Sequence, residues 1–112
     1  MEEFQFKGKK FNNPVELSMS ILGGKWKMPI ILKLKDDPKR YGEIKKALPG
    51  ITHKMLTQQL RELEEDEIIT RKIYPVIPPK VEYTLTLLGK SVLPVIDLLS
   101  DWGEEYRSVF TR

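Results

Sequence analysis

The chain has 112 residues, with 19 Lys and Arg against 16 Asp and Glu, one His and no Cys. That length suits one domain with a core of its own; the missing Cys excludes disulfides, thiolate metal sites and a cysteine nucleophile, and one His excludes a multi-His zinc site. No run approaches the roughly 18 apolar residues of a membrane span and Met1–Lys10 has no apolar signal core, so the expected setting is the cytoplasm.

Residues 1–12 read as a basic N-terminal arm, loose over Phe4–Phe11. Asn13-Pro14-Val15-Glu16 starts a helix: Asn13 suits the N-cap, Pro14 the first helical position, and Glu16 can reach back as in a capping box. Val15, Met19 and Leu22 keep helical spacing until Gly23-Gly24, where glycine tolerates a left-handed cap. Trp26–Lys35 reads as a second helix, with Trp26, Ile30, Ile31 and Leu34 as its stripe, Pro29 in its first turn and lysines opposite. After Asp36-Asp37-Pro38, a short helix from Tyr41 to Leu48 turns Ile44 and Leu48 inward and Lys45 and Lys46 outward; Pro49-Gly50 is a turn.

Thr52 is the expected N-cap of a fourth helix, about 52–66, which buries Leu56, Leu60 and Leu63 and shows His53, Lys54, Thr57, Gln58 and Arg61. Ile68–Tyr74 and Val81–Leu85 read as two strands of a hairpin with a proline-rich tip. From about Thr86 to Val109 the pattern predicts one long helix, with Leu88, Val92, Val95, Leu99, Trp102, Tyr106 and Val109 in a heptad a/d series. Pro94 should kink it by removing the bond to the Lys90 carbonyl, and Gly103 weakens it.

Charge is segregated along this order. Between Lys25 and Lys54 nine bases face three acids, whereas Glu62–Glu67 is an acidic block. Such a basic stretch fits a polyanion or, more blandly, a solvated lysine-rich face. The order helix, helix, helix, turn, helix, hairpin decides for the first: it is a winged helix-turn-helix, mainly α with a small β-hairpin. The fourth helix would then read base edges, with Lys54, Gln58 and Arg61 as donors and acceptors, His53 and Thr57 near its start, and Thr52 with the first amides on a phosphate. His53 reads equally well as a plain surface residue. Arg71, Lys72 and Lys80 on the wing, about 71–83, would neutralise phosphates, and the acidic block would lie on the far half of the helix, away from DNA. Trp26, Trp102 and Tyr106 read as core or interface anchors.

The C-terminal stripe has two readings, packing onto its own domain or onto a second copy. Its length favours a homodimer through Leu88, Val92, Val95, Leu99, Trp102 and Tyr106, which would set two reading helices about one DNA turn apart on a pseudo-palindrome.

The sequence resembles the HxlR family of bacterial winged-helix regulators, relatives of the MarR group. The resemblance is carried by Pro14-Val15-Glu16, Ile21-Leu22-Gly23-Gly24-Lys25-Trp26-Lys27, Tyr41-Gly42-Glu43-Ile44, Ile51 through Leu63, Pro79 through Tyr83, and Thr84-Leu85-Thr86 through Leu88-Gly89. It runs in unbroken order from about Asn13 to Tyr106. It implies a dimeric DNA-binding regulator with dimerising terminal helices and with Lys54 and its neighbours facing the groove. Many members sense electrophiles or oxidants with a Cys just before the Pro-Val pair; here that place is Asn13, so a thiol switch is not carried over. Glu67 stands where relatives usually have Gly, a substitution that costs on the order of 1 kcal/mol if the backbone there is left-handed.

These readings divide the chain into an arm at 1–12, a winged-helix core at 13–85 and a C-terminal dimerisation helix at 86–112. The expected function is sequence-specific transcription regulation on double-stranded DNA, the alternative a winged-helix module for RNA or protein. No catalytic set, metal site or cofactor motif is expected, since Gly23-Gly24-Lys25 is too short for a P-loop. A small-molecule effector would have its place in a pocket between the core and the dimer helices, but no residue cluster marks one.

Overall fold

The computed structural model describes residues 2–111, so Met1 and Arg112, the outermost positions of the arm and of the C-terminal segment, lie outside the described residues. The arm is not loose. Strands β1 (Phe4–Phe6) and β2 (Lys9–Phe11) pair antiparallel across a two-residue turn, Lys7-Gly8, with φ of 49° and 77°. Such a turn matches the strand twist. Phe4 stacks on Phe11 at 5.6 Å, and Phe11 is buried, so the alternating aromatics give the arm an apolar face.

Helix α1 spans Pro14–Leu22, and Asn13 caps it: Oδ1 accepts the Glu16 amide at 2.9 Å. Glu16 does not close a capping box, because its carboxylate takes the Asn12 side-chain amide at 3.0 Å instead. Past Gly23, Gly24 adopts φ +92° and turns the chain. Helix α2 is Lys27–Lys33, shorter than the sequence suggests by one residue at its start and two at its end, with Trp26 and Leu34 as its caps. Lys27 corrects the picture of outward lysines: it is buried, with Nζ 3.1 Å from Glu62 Oε1. Helix α3 is Tyr41–Ala47, where Glu43 accepts the Arg40 amide at 2.9 Å and closes the first turn.

Helix α4 spans His53–Glu65, with Thr52 Oγ1 accepting the Met55 amide at 3.1 Å. Glu67 is left-handed (φ 59°), and the Glu67 and Ile68 amides donate to the Glu64 and Leu63 carbonyls at 3.0 and 2.9 Å, the Schellman pattern at a helix end. Strands β3 (Ile69–Tyr74) and β4 (Lys80–Leu85) pair antiparallel from Ile69 opposite Leu85 to Tyr74 opposite Lys80. Lys39 adds one further rung by exchanging two backbone hydrogen bonds with Tyr83.

The long C-terminal helix is two helices. Thr86 caps a short α5 (Leu87–Lys90), and α6 runs from Leu93 to Phe110. Pro94 does not kink a continuous helix: it cannot donate to Lys90, so the helix is interrupted ahead of it and restarts with Pro94 in its first turn, where proline costs least. Gly89 lets α5 lie against the sheet, for a Cβ there would stand 2.1 Å from the Ile68 carbonyl oxygen.

One core unites these parts. Ile30 and Ile31 of α2, Ile44 of α3, Leu56 and Leu63 of α4 and Ile69 of β3 have almost no exposure, and Val92 and Ile96 tack on the start of α6. The fold is the mainly helical winged helix-turn-helix that the sequence predicts.

Candidate nucleic-acid interface

Helix α4 is divided by burial. Leu56, Leu60 and Leu63 fill the core, while His53, Lys54, Thr57, Gln58 and Arg61 are exposed. Together with Glu62 these five line one open, shallow surface, so the structure brings the sequence-predicted helix residues together on one face. No acidic partner lies within 4 Å of Lys54 or Arg61 among the described residues, so their charge is not spent within the chain. The oxygen of Thr52 already accepts the Met55 amide, which leaves its hydroxyl proton for another group.

The acidic block behaves as separate pieces. Glu62 holds Lys27, and Glu64 Oε2 stands 3.7 Å from Arg71 Nε. The acids of α4 all fall in its last four residues, and two of them, Glu62 and Glu64, are paired within the chain.

On the wing, strand register separates residues that adjoin in sequence. Lys72 and Tyr74 share a face with Lys80 and Glu82, whereas Arg71 shares the opposite face with Tyr83. Lys72 and Lys80 flank the Tyr74 ring, with Nζ 4.8 and 5.2 Å from its centroid, which holds the two cations beside each other. Lys80 is also 3.5 Å from Glu82, which tempers its field. Arg71 instead joins Arg61, Thr57, Tyr41, Glu64 and Tyr83 around a recess between α4 and the sheet. Burial pushes the Tyr83 hydroxyl above its usual range, and Arg71 pulls it the other way. Arg71 therefore belongs with the α4 surface, apart from Lys72 and Lys80.

The sequence did not reveal Tyr41. Its hydroxyl reaches from α3 to both His53 and Thr57. No periodicity marks a residue that acts through one oxygen atom.

The residues expected at a dimer contact are divided as well. Leu88, Val95, Leu99, Trp102 and Tyr106 are all about half exposed or more, but Val92 is 8% exposed and belongs to the chain's own core. Leu88 lies on α5, so it does not continue the α6 row as a single helix would. Phe110 extends that row: Trp102, Tyr106 and Phe110 stack in sequence with centroids 5.4 and 5.0 Å apart. Their i, i+4, i+8 spacing was visible in the sequence, where the heptad pattern drew attention to Val109 instead.

Between the arm, α1 and the end of α4 lies a cavity of about 480 Å³ lined by Phe6, Phe11, Ile21, Lys27 and Glu62 among others. No helix is long and apolar enough to cross a membrane, and no cluster of metal-ligating side chains occurs among the described residues.

The family model for HxlR-like helix-turn-helix proteins matches residues 21–110. An uncharacterised HTH-type transcriptional regulator of Bacillus subtilis, YdeP, is 51% identical over 94 residues, covering 84% of this chain and 73% of YdeP. An HTH-type regulator of Methanothermobacter thermautotrophicus is 49% identical over 94 residues, covering 84% of this chain and 72% of its own. Among solved structures, the redox regulator HypR in its reduced form superposes with a TM-score of 0.82 at 44% identity, covering 88% of this chain and 97% of HypR.

Proposed function

The chain belongs to the HxlR-like helix-turn-helix family of transcriptional regulators, and from that premise we propose that it binds a pseudo-palindromic operator as a cytoplasmic homodimer. Helix α4 enters the major groove, and the wing lies on the backbone. The observation that carries this proposal is the exposed row His53, Lys54, Thr57, Gln58 and Arg61, set on a helix whose other side is locked into the core. A rigid helix with donors and acceptors on its free face is what base-edge readout requires. Lys72 and Lys80, paired across Tyr74, supply the phosphate contacts of the wing, while Arg71 serves the groove side with Arg61.

The domains divide accordingly: a basic N-terminal arm over 1–12, which carries the hairpin Phe4–Phe11, the winged-helix core over 13–85, and a dimerising segment over 86–112. The contact between copies is formed by Val95, Leu99, Trp102, Tyr106 and Phe110 of α6, with Val15 and Met19 of α1 as further exposed apolar residues. Without Cys, any effector acts other than through a thiol.

Selection of binding sites from a random duplex pool, with sedimentation in parallel, tests the whole proposal. The expected result is a symmetric site bound by two chains, with an affinity that falls steeply with salt. Binding to single-stranded RNA alone, or to no nucleic acid, supports the RNA- or protein-binding alternative and removes the operator.

A further inference from the structure

Three polar contacts converge on one atom beside the reading face. The Tyr41 hydroxyl oxygen lies 3.0 Å from His53 Nδ1, 3.1 Å from the His53 carbonyl oxygen and 3.3 Å from Thr57 Oγ1. The Tyr41 and His53 rings are parallel to within 1°, with centroids 5.8 Å apart. A side chain of α3 thus holds the first residue of α4 and the residue one turn later.

Counting protons decides how this cluster is wired. Tyr41 has one hydroxyl proton, and the carbonyl can only accept. If that proton went to Nδ1 or to Thr57, two oxygens would face each other at 3.1 Å with no proton between them. One assignment makes all three contacts attractive: Tyr41 donates to the His53 carbonyl, and its oxygen accepts from Nδ1–H and from the Thr57 hydroxyl.

We infer that Tyr41 locks His53 in the Nδ1–H tautomer, so that Nε2 meets the groove as a bare acceptor and selects a base with an exocyclic amine. This rests on α4 reading the major groove. There, adenine N6 and cytosine N4 carry donors, whereas guanine N7 and O6 and thymine O4 offer only lone pairs. The base opposite His53 is therefore A or C, and G or T meets acceptor against acceptor. Tyr41 is a positioning residue: it touches no base, but it fixes which nitrogen of His53 bears the proton and removes ring rotations that would blur the choice.

His53 is the only histidine, so its ring nitrogens are assigned directly in a ¹⁵N spectrum of the intact chain. In alkaline buffer the wild-type chain should show Nδ1–H. Tyr41→Phe, which keeps the ring and removes the hydroxyl, should move the pattern toward Nε2–H. In site selection, the wild-type chain should favour A or C about 5- to 10-fold at one position of each half-site. Tyr41→Phe and His53→Ala should level that position and leave the others unchanged. An Nε2–H pattern in the wild-type chain overturns the inference. So does G or T at the His53-dependent position, or a Tyr41→Phe chain that changes tautomer and keeps its base preference. A wild-type chain with no preference at any position overturns the operator proposal as well, and is distinguished because every position is then level.

Discussion

Helices α4 and α6 are both amphipathic, and they solve opposite problems. Helix α4 buries Leu56, Leu60 and Leu63 within its own chain and turns polar groups outward. Helix α6 buries Ile96 near its start, and from residue 97 to 111 every described side chain except Ser108 is exposed. That stretch includes Leu98, Leu99, Trp102, Tyr106, Val109 and Phe110. An apolar row of this size on a lone chain in water is unfavourable, and stacking within one helix covers little of it. The polar face of α4 suits water as it stands, whereas the described residues of the chain leave the apolar face of α6 uncovered. One helix is held by its own chain and leaves a polar face in solvent; the other is held only at its start and leaves an apolar face in solvent.

The contrast is tested most strongly in the interior. Leu56 has no exposure, and Leu56→Ala should cost about 2–5 kcal/mol of global stability, read from denaturant unfolding. A cost as small as a surface change would mean that α4 is not anchored as described. Leu99→Asp on α6 should do the reverse. Its site is 48% exposed in the single chain, so secondary structure should persist, while dimer affinity should fall by about 2 kcal/mol or more in sedimentation. An intact Leu99→Asp dimer would remove Leu99 from the contact, and a chain that unfolds would place α6 in its own core.

How far the sequence foretold this contrast differs between the two helices. For α4 the period of Leu56, Leu60 and Leu63, the Thr52 cap and the exposed row were all legible, because local spacing decides them. For α6 the apolar pattern was legible, but the heptad passed smoothly through Val92 and Leu88, which periodicity could not separate from the rest. The break there is set by Pro94 together with the close approach of Gly89 to Ile68, a contact across 21 residues. Lys27 was misread although its place was available: positions 27, 30, 31 and 34 form one stripe, and a lysine in it calls for a buried partner, which Glu62 supplies. The hairpin within the arm is not legible in the sequence because Lys7-Gly8 is a weaker hairpin signal than Asn-Gly. Strand alternation already puts Arg71 and Lys72 on opposite faces, but only the fold shows that the Arg71 face is the one that meets α4.

A smaller effect tests the free face of α4. Arg61→Ala should lose about 1–3 kcal/mol on the selected site and relax preference at one position, with stability nearly unchanged. An unchanged ratio of specific to non-specific binding would take Arg61 out of the readers and leave Gln58 and Lys54 to carry the row.

The smallest effect concerns the end of α4, where local cost and function can be separated. Glu67 occupies the left-handed position of a Schellman turn, with Leu63 and Ile68 buried around it. A side chain there strains the backbone, and its charge stands near the negative end of the helix dipole. Glu67→Gly should therefore stabilise the chain by about 1 kcal/mol, less whatever the glycine adds to the entropy of the unfolded state. Glu67→Ala removes the charge and keeps the strain, so it should recover only the electrostatic part. If the Gly and Ala variants melt together, the cost is charge; if Gly stands clearly above Ala, it is backbone. Operator affinity should stay level in both, because Glu67 lies at the opposite end of α4 from His53 and Lys54. A loss of specific binding in the stabilised Gly variant would mean that the turn after α4 sets the angle of the wing against the reading helix, and would tie the strained residue to function.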